Sequence, residues 1–204
     1  MGNAKDRAQN GSLSWCTLLA TFLVFCAASV IPAWAQDIAL QIDPAHTSVQ
    51  FTLGDVLHTV RGTFKLKRGA LQLDPGSGKI SGEIVADARS GESGSNMRDR
   101  KMHKEILESD HYPEISFHPD RVDGTVASAG KSSVKVHGMF NIHGVDREIT
   151  VPAEVEMGPD HWSATVHFTV PYAKWGMKNP STLFLRVNDS VEIDLAASGS
   201  IGKR

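Results

Sequence analysis

The stretch Val134-Lys135-Val136-His137-Gly138-Met139-Phe140-Asn141-Ile142-His143 decides the fold, because it steps with a period of two for ten residues. Successive side chains of a strand point to opposite faces. Val134, Val136, Gly138, Phe140 and Ile142 therefore share one apolar face, and Lys135, His137, Met139, Asn141 and His143 the other. The same alternation extends towards the N terminus in Ile115 and Phe117, in Ile80, Gly82, Ile84 and Ala86, in Val60, Gly62, Phe64 and Leu66, and in Val49, Phe51 and Leu53. After Gly69 the apolar face passes to Leu71 and Leu73, which predicts a bulge at Arg68-Gly69. Towards the C terminus it continues through Ile149 to Met157, Trp162 to Val170, and Val191 to Ala197.

Turn signals separate these runs at Asp74-Pro75-Gly76, His143-Gly144, Gly158-Pro159-Asp160 and Asn188-Asp189-Ser190. About eight strands with one apolar face each must bury that face against one another. The expected class is all-β, a closed antiparallel eight-stranded barrel, which leaves no open sheet edge. A two-sheet sandwich satisfies the same pattern. One segment departs from it: Asn96 to Ser109 carries Met102, Ile106 and Leu107 at helical spacing, with Lys101/Glu105 and Lys104/Glu108 as i,i+4 pairs. One short inserted helix is expected there, with Asn96 as N-cap.

Residues 1–35 read as a removed secretory signal: Lys5 and Arg7 precede a largely apolar Leu13 to Ile31, Pro32 breaks it, and Ala33-Trp34-Ala35 is a small-x-small cleavage site. Cleavage would start the mature chain at Gln36 or Asp37 and give a periplasmic protein. An uncleaved anchor is the competing reading, since about 17–25 apolar residues span a bilayer. Both cysteines, Cys16 and Cys26, precede residue 36, so residues 36–204 form one domain without disulfide, thiolate nucleophile or cysteine metal ligand. Removing Lys5, Asp6 and Arg7 moves the net charge from −2 to −3. The charges alternate in sign, which excludes a nucleic-acid footprint and a polybasic membrane patch.

A barrel of this size is either filled by its side chains or holds one small ligand, and the size of the inward residues decides which. Gly62, Gly82, Ala86, Gly138, Ala153, Ala164 and Ala197 all fall on the apolar face. The glycines have an alternative explanation in strand bends; the alanines do not need it. The candidate ligand-binding residues are thus Phe51, Gly62, Phe64, Ile84, Phe117, Gly138, Phe140, Ala153, Trp162, Ala164, Phe168 and Trp175. Trp175, with Tyr172, is either an aromatic lip at the tunnel mouth or core cover.

Catalytic signatures are missing: no G-x-S-x-G elbow, H-E-x-x-H helix or phosphate-cradling glycine loop occurs. Nine histidines raise the question of a metal, but the spacings of His103, His118, His137, His143 and His167 force no convergence of ligands. No metal and no cofactor is expected. Arg98 and Asp99 read either as an ion pair pinning the helix or as a receiver for a lipid head group.

Three blocks resemble a known family. Asp43-x-x-His46-x-x-Val49-x-Phe51 with Val60-Arg61-Gly62-Thr63-Phe64, then Arg98-Asp99-x-x-Met102-His103 with Tyr112-Pro113-x-Ile115-x-Phe117, then Val136-His137-Gly138 with Ile142-His143-Gly144-Val145 and Val191-Glu192-Ile193 are similar to YceI-like proteins. The resemblance covers Ile38 to Ile201. It implies a lipocalin-like barrel with a helix beside it and a tunnel for an isoprenoid quinone, polyprenyl phosphate or fatty amide. The chain departs from the commonest pattern at Leu57-His58 and at Lys174 to Leu185. The expected function is that of a periplasmic carrier of an amphiphilic lipid, not an enzyme, with no nucleic-acid partner, no integral membrane span in the mature chain, and homodimerisation left open. The alternative is a non-catalytic accessory protein of a respiratory or stress pathway acting through its outer surface.

Overall fold

The computed structural model describes residues 37–54, 59–182 and 186–202. The expected signal segment with its expected cleavage site, and Leu57-His58, lie outside the described residues. Among the described residues, nine strands run in chain order: β1 (Ile38–Ile42), β2 (Ser48–Gly54), β3 (Thr59–Leu73), β4 (Ile80–Glu92), β5 (Glu114–Asp123), β6 (Gly130–Ile142), β7 (Val145–Met157), β8 (His161–Val170) and β9 (Val191–Gly202). All pairings are antiparallel; β1 and β2 both pair with β3, each later strand then neighbours the next, and β9 returns to pair with β1 and β2.

The ring has eight staves, because β1 and β2 are two halves of one. β1 lies against the far part of β3 (Ile38 opposite Leu73) and β2 against its near part (Val49 opposite Phe64), while β9 spans both. The break is a single turn at Pro44–His46. Asp43 holds it by accepting from the Ala45 amide at 2.9 Å and bonding His46 Nδ1 at 2.7 Å, and Thr47 Oγ1 donates back to the Asp43 carbonyl at 2.7 Å. The His46 contact, then the Ala45 amide, holds the Asp43 carboxyl below its usual range. The Asp43-x-x-His46 motif is therefore a corner device.

The register of β3 against β4 slips between Leu66 and Arg68, one residue earlier than the sequence suggested, and again between Thr63 and Lys65. The slip turns Lys67 and Arg68 together onto Glu114 of β5, at 2.9 and 3.0 Å, with Arg68 also 2.8 Å from Glu83. The Arg68 guanidinium, then Lys67, pulls the Glu114 carboxyl down to about 2. Three neighbouring staves are tied on their wet face by this cluster.

The inserted helix is shorter and differently wound than its spacing predicts. Helix α1 covers Asn96–Lys101, its N-cap is Ser95 and not Asn96, and Met102–Ile106 widens into a π-turn in which the Leu107 amide donates to the Met102 carbonyl at 2.8 Å. The widening brings Met102, Ile106 and Leu107 onto one side. The expected i,i+4 pairing of Lys101 with Glu105 is replaced by tertiary bonds: Lys101 donates to the Pro180 carbonyl at 3.2 Å and Glu105 accepts from Lys178 at 2.6 Å. Glu108, expected to pair with Lys104, instead stands 3.4 Å from His143.

The barrel has two ends of different character. The β3–β4, β5–β6 and β7–β8 turns close one end over Leu40, Leu71, Leu73, Ile80, Met157 and Trp162. The helix and the described parts of the connection after β8, residues 171–182 and 186–190, sit at the other, over Leu107, Phe140, Ile142, Val170, Tyr172 and Met177. Between β7 and β8 the ladder stops at Ala153 opposite Val166, and the next residue on β7, Pro152, has no N–H to continue it.

Candidate functional site

A cavity of about 450 Å³ occupies the barrel interior, within the range of small-molecule sites, about 300–1,000 Å³. Alternation puts one residue in two of every strand on its wall, and the alanines at Ala86, Ala153, Ala164 and Ala197 are among those wall residues. Of the sequence-derived candidates, Phe51, Phe64, Ile84, Phe117, Phe140, Ala153, Trp162, Ala164 and Phe168 line it. Their aromatic members form two packed groups: Phe51 and Phe64 have centroids 5.4 Å apart, and Phe140 meets Phe168 edge to face at 5.8 Å.

Gly62, Gly138 and Trp175 do not line the cavity, contrary to the sequence reading. A Cβ on Gly62 would collide with the Phe51 ring and the Glu92 carbonyl, and one on Gly138 with the His118 carbonyl. These glycines let backbone and ring approach each other; they leave no void. Trp175 stacks under Arg147, whose guanidinium carbon is 4.9 Å from the ring centroid and whose Nη2 donates to the Trp175 carbonyl at 2.5 Å. It covers the open end beside Phe140, 6.0 Å away, while Tyr172 reaches the cavity itself. Burial, then the charge of Asp189, pushes the Tyr172 phenol up to about 12. It is thus a neutral donor, bonded to the Asn188 carbonyl at 2.5 Å.

Of the mouth, the sequence offered Arg98 and Asp99 as one of two readings and missed Ser93, Lys101, Pro180, Thr182 and Val187. Ser93, Arg98, Asp99 and Lys101 line the cavity at the helix end together with Pro180, Thr182 and Val187. Arg98 and Asp99 grip a common partner in place of each other: Asp99 Oδ1 accepts from the Ser93 amide (2.8 Å) and hydroxyl (2.6 Å), and Arg98 donates to the Ser93 hydroxyl oxygen (3.2 Å) and carbonyl (3.0 Å). Only tertiary folding brings Ser93, Arg98, Asp99 and Lys101 together with Pro180, Thr182 and Val187, so no local pattern announces their meeting. Elsewhere the wall is almost wholly hydrocarbon; Ser116 is a small polar exception.

The histidines serve as ties. His103 bonds the Gly91 carbonyl through Nε2 (2.8 Å) and Ser109 Oγ through Nδ1 (3.0 Å), fastening the π-turn to β4. His137 lies on the outer wall between Asp120 (2.7 Å) and Glu148 (2.8 Å), and these carboxylates, Asp120 foremost, raise its pKa. His167 bonds Asp194 across β8 and β9 at 2.7 Å. Among the described residues no three histidine, cysteine or carboxylate side chains come together as a metal site. Nor is any helix there long and apolar enough to cross a membrane.

A closed antiparallel barrel of eight staves, hollow and apolar within and polar at one mouth, defines a lipocalin-like architecture. The YceI-like domain model matches residues 40–198, and the chain belongs to that family. A UPF0312 protein of Vibrio parahaemolyticus is 27% identical over 152 residues, 72% of this chain and 77% of that protein. A UPF0312 protein of Pseudomonas syringae pv. syringae is 24% identical over 177 residues, 82% of this chain and 88% of that one. Burkholderia cenocepacia BcnA superposes with a TM-score of 0.64 at 17% identity, covering 78% of this chain and 99% of BcnA. A polyisoprenoid binding domain from Saccharophagus degradans does so with 0.64 at 13% identity, covering 80% and 98%.

Proposed function

We propose that this protein is a periplasmic carrier that holds the apolar tail of an amphiphilic lipid, such as an isoprenoid quinone, polyprenyl phosphate or fatty amide, inside the barrel, and that it binds without catalysing. The observation that carries this reading is the apolar cavity of the barrel interior with its polar mouth. Burying a tail there gains about 0.8 kcal/mol per CH₂, which accumulates over a polyisoprenoid, while a hydrocarbon wall selects weakly among tails. The family membership and the likeness to a polyisoprenoid binding domain support the same class of ligand.

Native mass spectrometry of protein purified without detergent tests the proposal. The wild type is expected to carry lipid, and Ala153→Phe and Ala164→Phe to lose it while their folds survive. Sharp unfolding of both variants together with a lipid-free wild type would overturn the carrier reading and favour an accessory protein acting through its outer face. Intact mass after export tests the location: a chain starting at Gln36 or Asp37 agrees with it, and retention of Leu13 to Ile31 contradicts it.

A further inference from the structure

We propose that the mouth selects an amphiphile with an anionic head group, seated between Arg98 and Lys101; this rests on reading the interior as a lipid site. Among the described residues the lining carries charge at one end only, where Arg98, Asp99 and Lys101 meet the cavity. At the opposite end the Trp162 indole N–H is bonded to the Gln41 carbonyl at 3.3 Å, and no ionised side chain among the described residues lines the wall. A tail therefore points inward and its head stays beside the helix.

The donors at the mouth outnumber the acceptors. Arg98 and Lys101 stand three residues apart on one helical turn, so their side chains leave the helix on neighbouring rows. Arg98 spends Nε and Nη2 on Ser93, and among the described residues its Nη1 has no hydrogen-bond partner. Lys101 spends one of three ammonium protons, on the Pro180 carbonyl. Among the described residues Asp99 is the one carboxylate lining the cavity against the two cations Arg98 and Lys101, so the described lining carries a net positive charge, and Asp99 Oδ1 is already committed to two bonds from Ser93.

That surplus discriminates between head groups. A neutral head seated at the mouth strips water from two cations and returns at most a partial bond, whereas burying a cation is compensated by a paired, hydrogen-bonded anion. A phosphate or carboxylate reaches both side chains at once, and a bulk free anion gains no tail burial.

The test uses the chain expressed from its full sequence and stripped of lipid, with displacement of the neutral dye Nile red as readout. Farnesyl monophosphate, farnesol and inorganic phosphate are compared at low and high salt. The phosphate ester is expected to bind about tenfold tighter than the alcohol at low salt, the lower end for a charge-assisted bond at a partly wet site. Salt should narrow the gap. Arg98→Gln/Lys101→Gln is expected to bring the two ligands together by weakening the ester more than the alcohol, with far-UV circular dichroism and the urea midpoint reporting the fold; Lys101→Gln alone does so in part and keeps the Arg98 bonds to Ser93. Inorganic phosphate is expected not to compete. Equal binding of ester and alcohol by the wild type, equal losses for both in the variant, or competition by phosphate alone each overturns the anionic-head assignment and leaves the lipid site standing. Failure of both farnesyl ligands to displace dye overturns the lipid site itself.

Discussion

A Cβ added to Gly138 would stand 2.7 Å from the Cα of Pro119, its partner across β5 and β6. The two backbones touch where a side chain was expected to face a void. Gly138→Ala must push β5 outward, and overpacking of this kind typically costs about 1–3 kcal/mol. Ala164→Phe enters volume that no protein atom occupies, so its cost is expected below about 1 kcal/mol. Urea unfolding of the two lipid-free variants beside wild type checks the order; the reverse order would make the interior ordinary core.

His137 predicts a pH dependence of defined sign. Asp120, then Glu148, raises its pKa above 6.5, with Arg121 opposing. An imidazolium favoured in the folded state contributes stability that is complete below the unfolded value of 6.5 and is lost as pH rises through the higher folded value. The carboxylates are 56% and 71% exposed, so the effect is small and screened by salt. Subtracting the urea midpoints of His137→Gln from those of wild type should leave a difference that falls as pH rises above 6.5; a flat difference contradicts it.

Glu114 has the opposite sign. Its carboxyl is pulled from 4.5 to about 2, chiefly by Arg68 and next by Lys67. The contribution is present above pH 4.5 and fades as pH falls towards 2. Glu114→Gln should therefore cost stability at neutral pH and almost nothing at the acid end, and added salt should shrink the neutral difference because the pairs are exposed.

The β6–β7 hairpin places His143 at φ 55° and Gly144 at φ 71°, a two-residue turn with both residues left-handed. Asn tolerates that region and Val does not. His143→Val is expected to destabilise by about 1–2 kcal/mol more than His143→Asn. Both lose the contact with the Tyr112 ring, 4.5 Å away, so that loss cancels in the comparison by thermal unfolding.

His103→Ala should loosen the helix from β4, seen as faster amide exchange at Leu107 and Ser109, because it removes both ring bonds. Elemental analysis of untagged protein is expected to find no stoichiometric zinc or copper. A metal that leaves with His103 would assign the ring a ligand role instead.

The wall was legible because alternation is a local signal: a residue that faces inward in a strand faces inward in the barrel, and nine of the twelve proposed residues line the cavity. The three misplaced ones depend on what lies opposite. Gly62 and Gly138 look like missing volume in sequence, yet Phe51 and the β5 backbone fill that space. Trp175 is drawn to Arg147 from 28 residues away. The bulge came out within one residue because Gly69 marks it, whereas the π-turn was invisible, since helical spacing does not tell a four-residue step from a five-residue one.

Ring closure joins the first stave to the last, Ser48 against Ala196 and Ala39 against Gly202, while every other neighbour is adjacent in sequence. The hairpins need only short loops, but this seam closes a loop of nearly the whole domain, the costliest in chain entropy and the slowest class of contact to form. The cavity exists only once that seam is zipped. A ribosome must therefore release residues 191–202 before there is any chamber, and a chain cut short before Val191 is an open sheet with two bare edges and a sticky apolar face. Emptiness here is made at the last moment of folding.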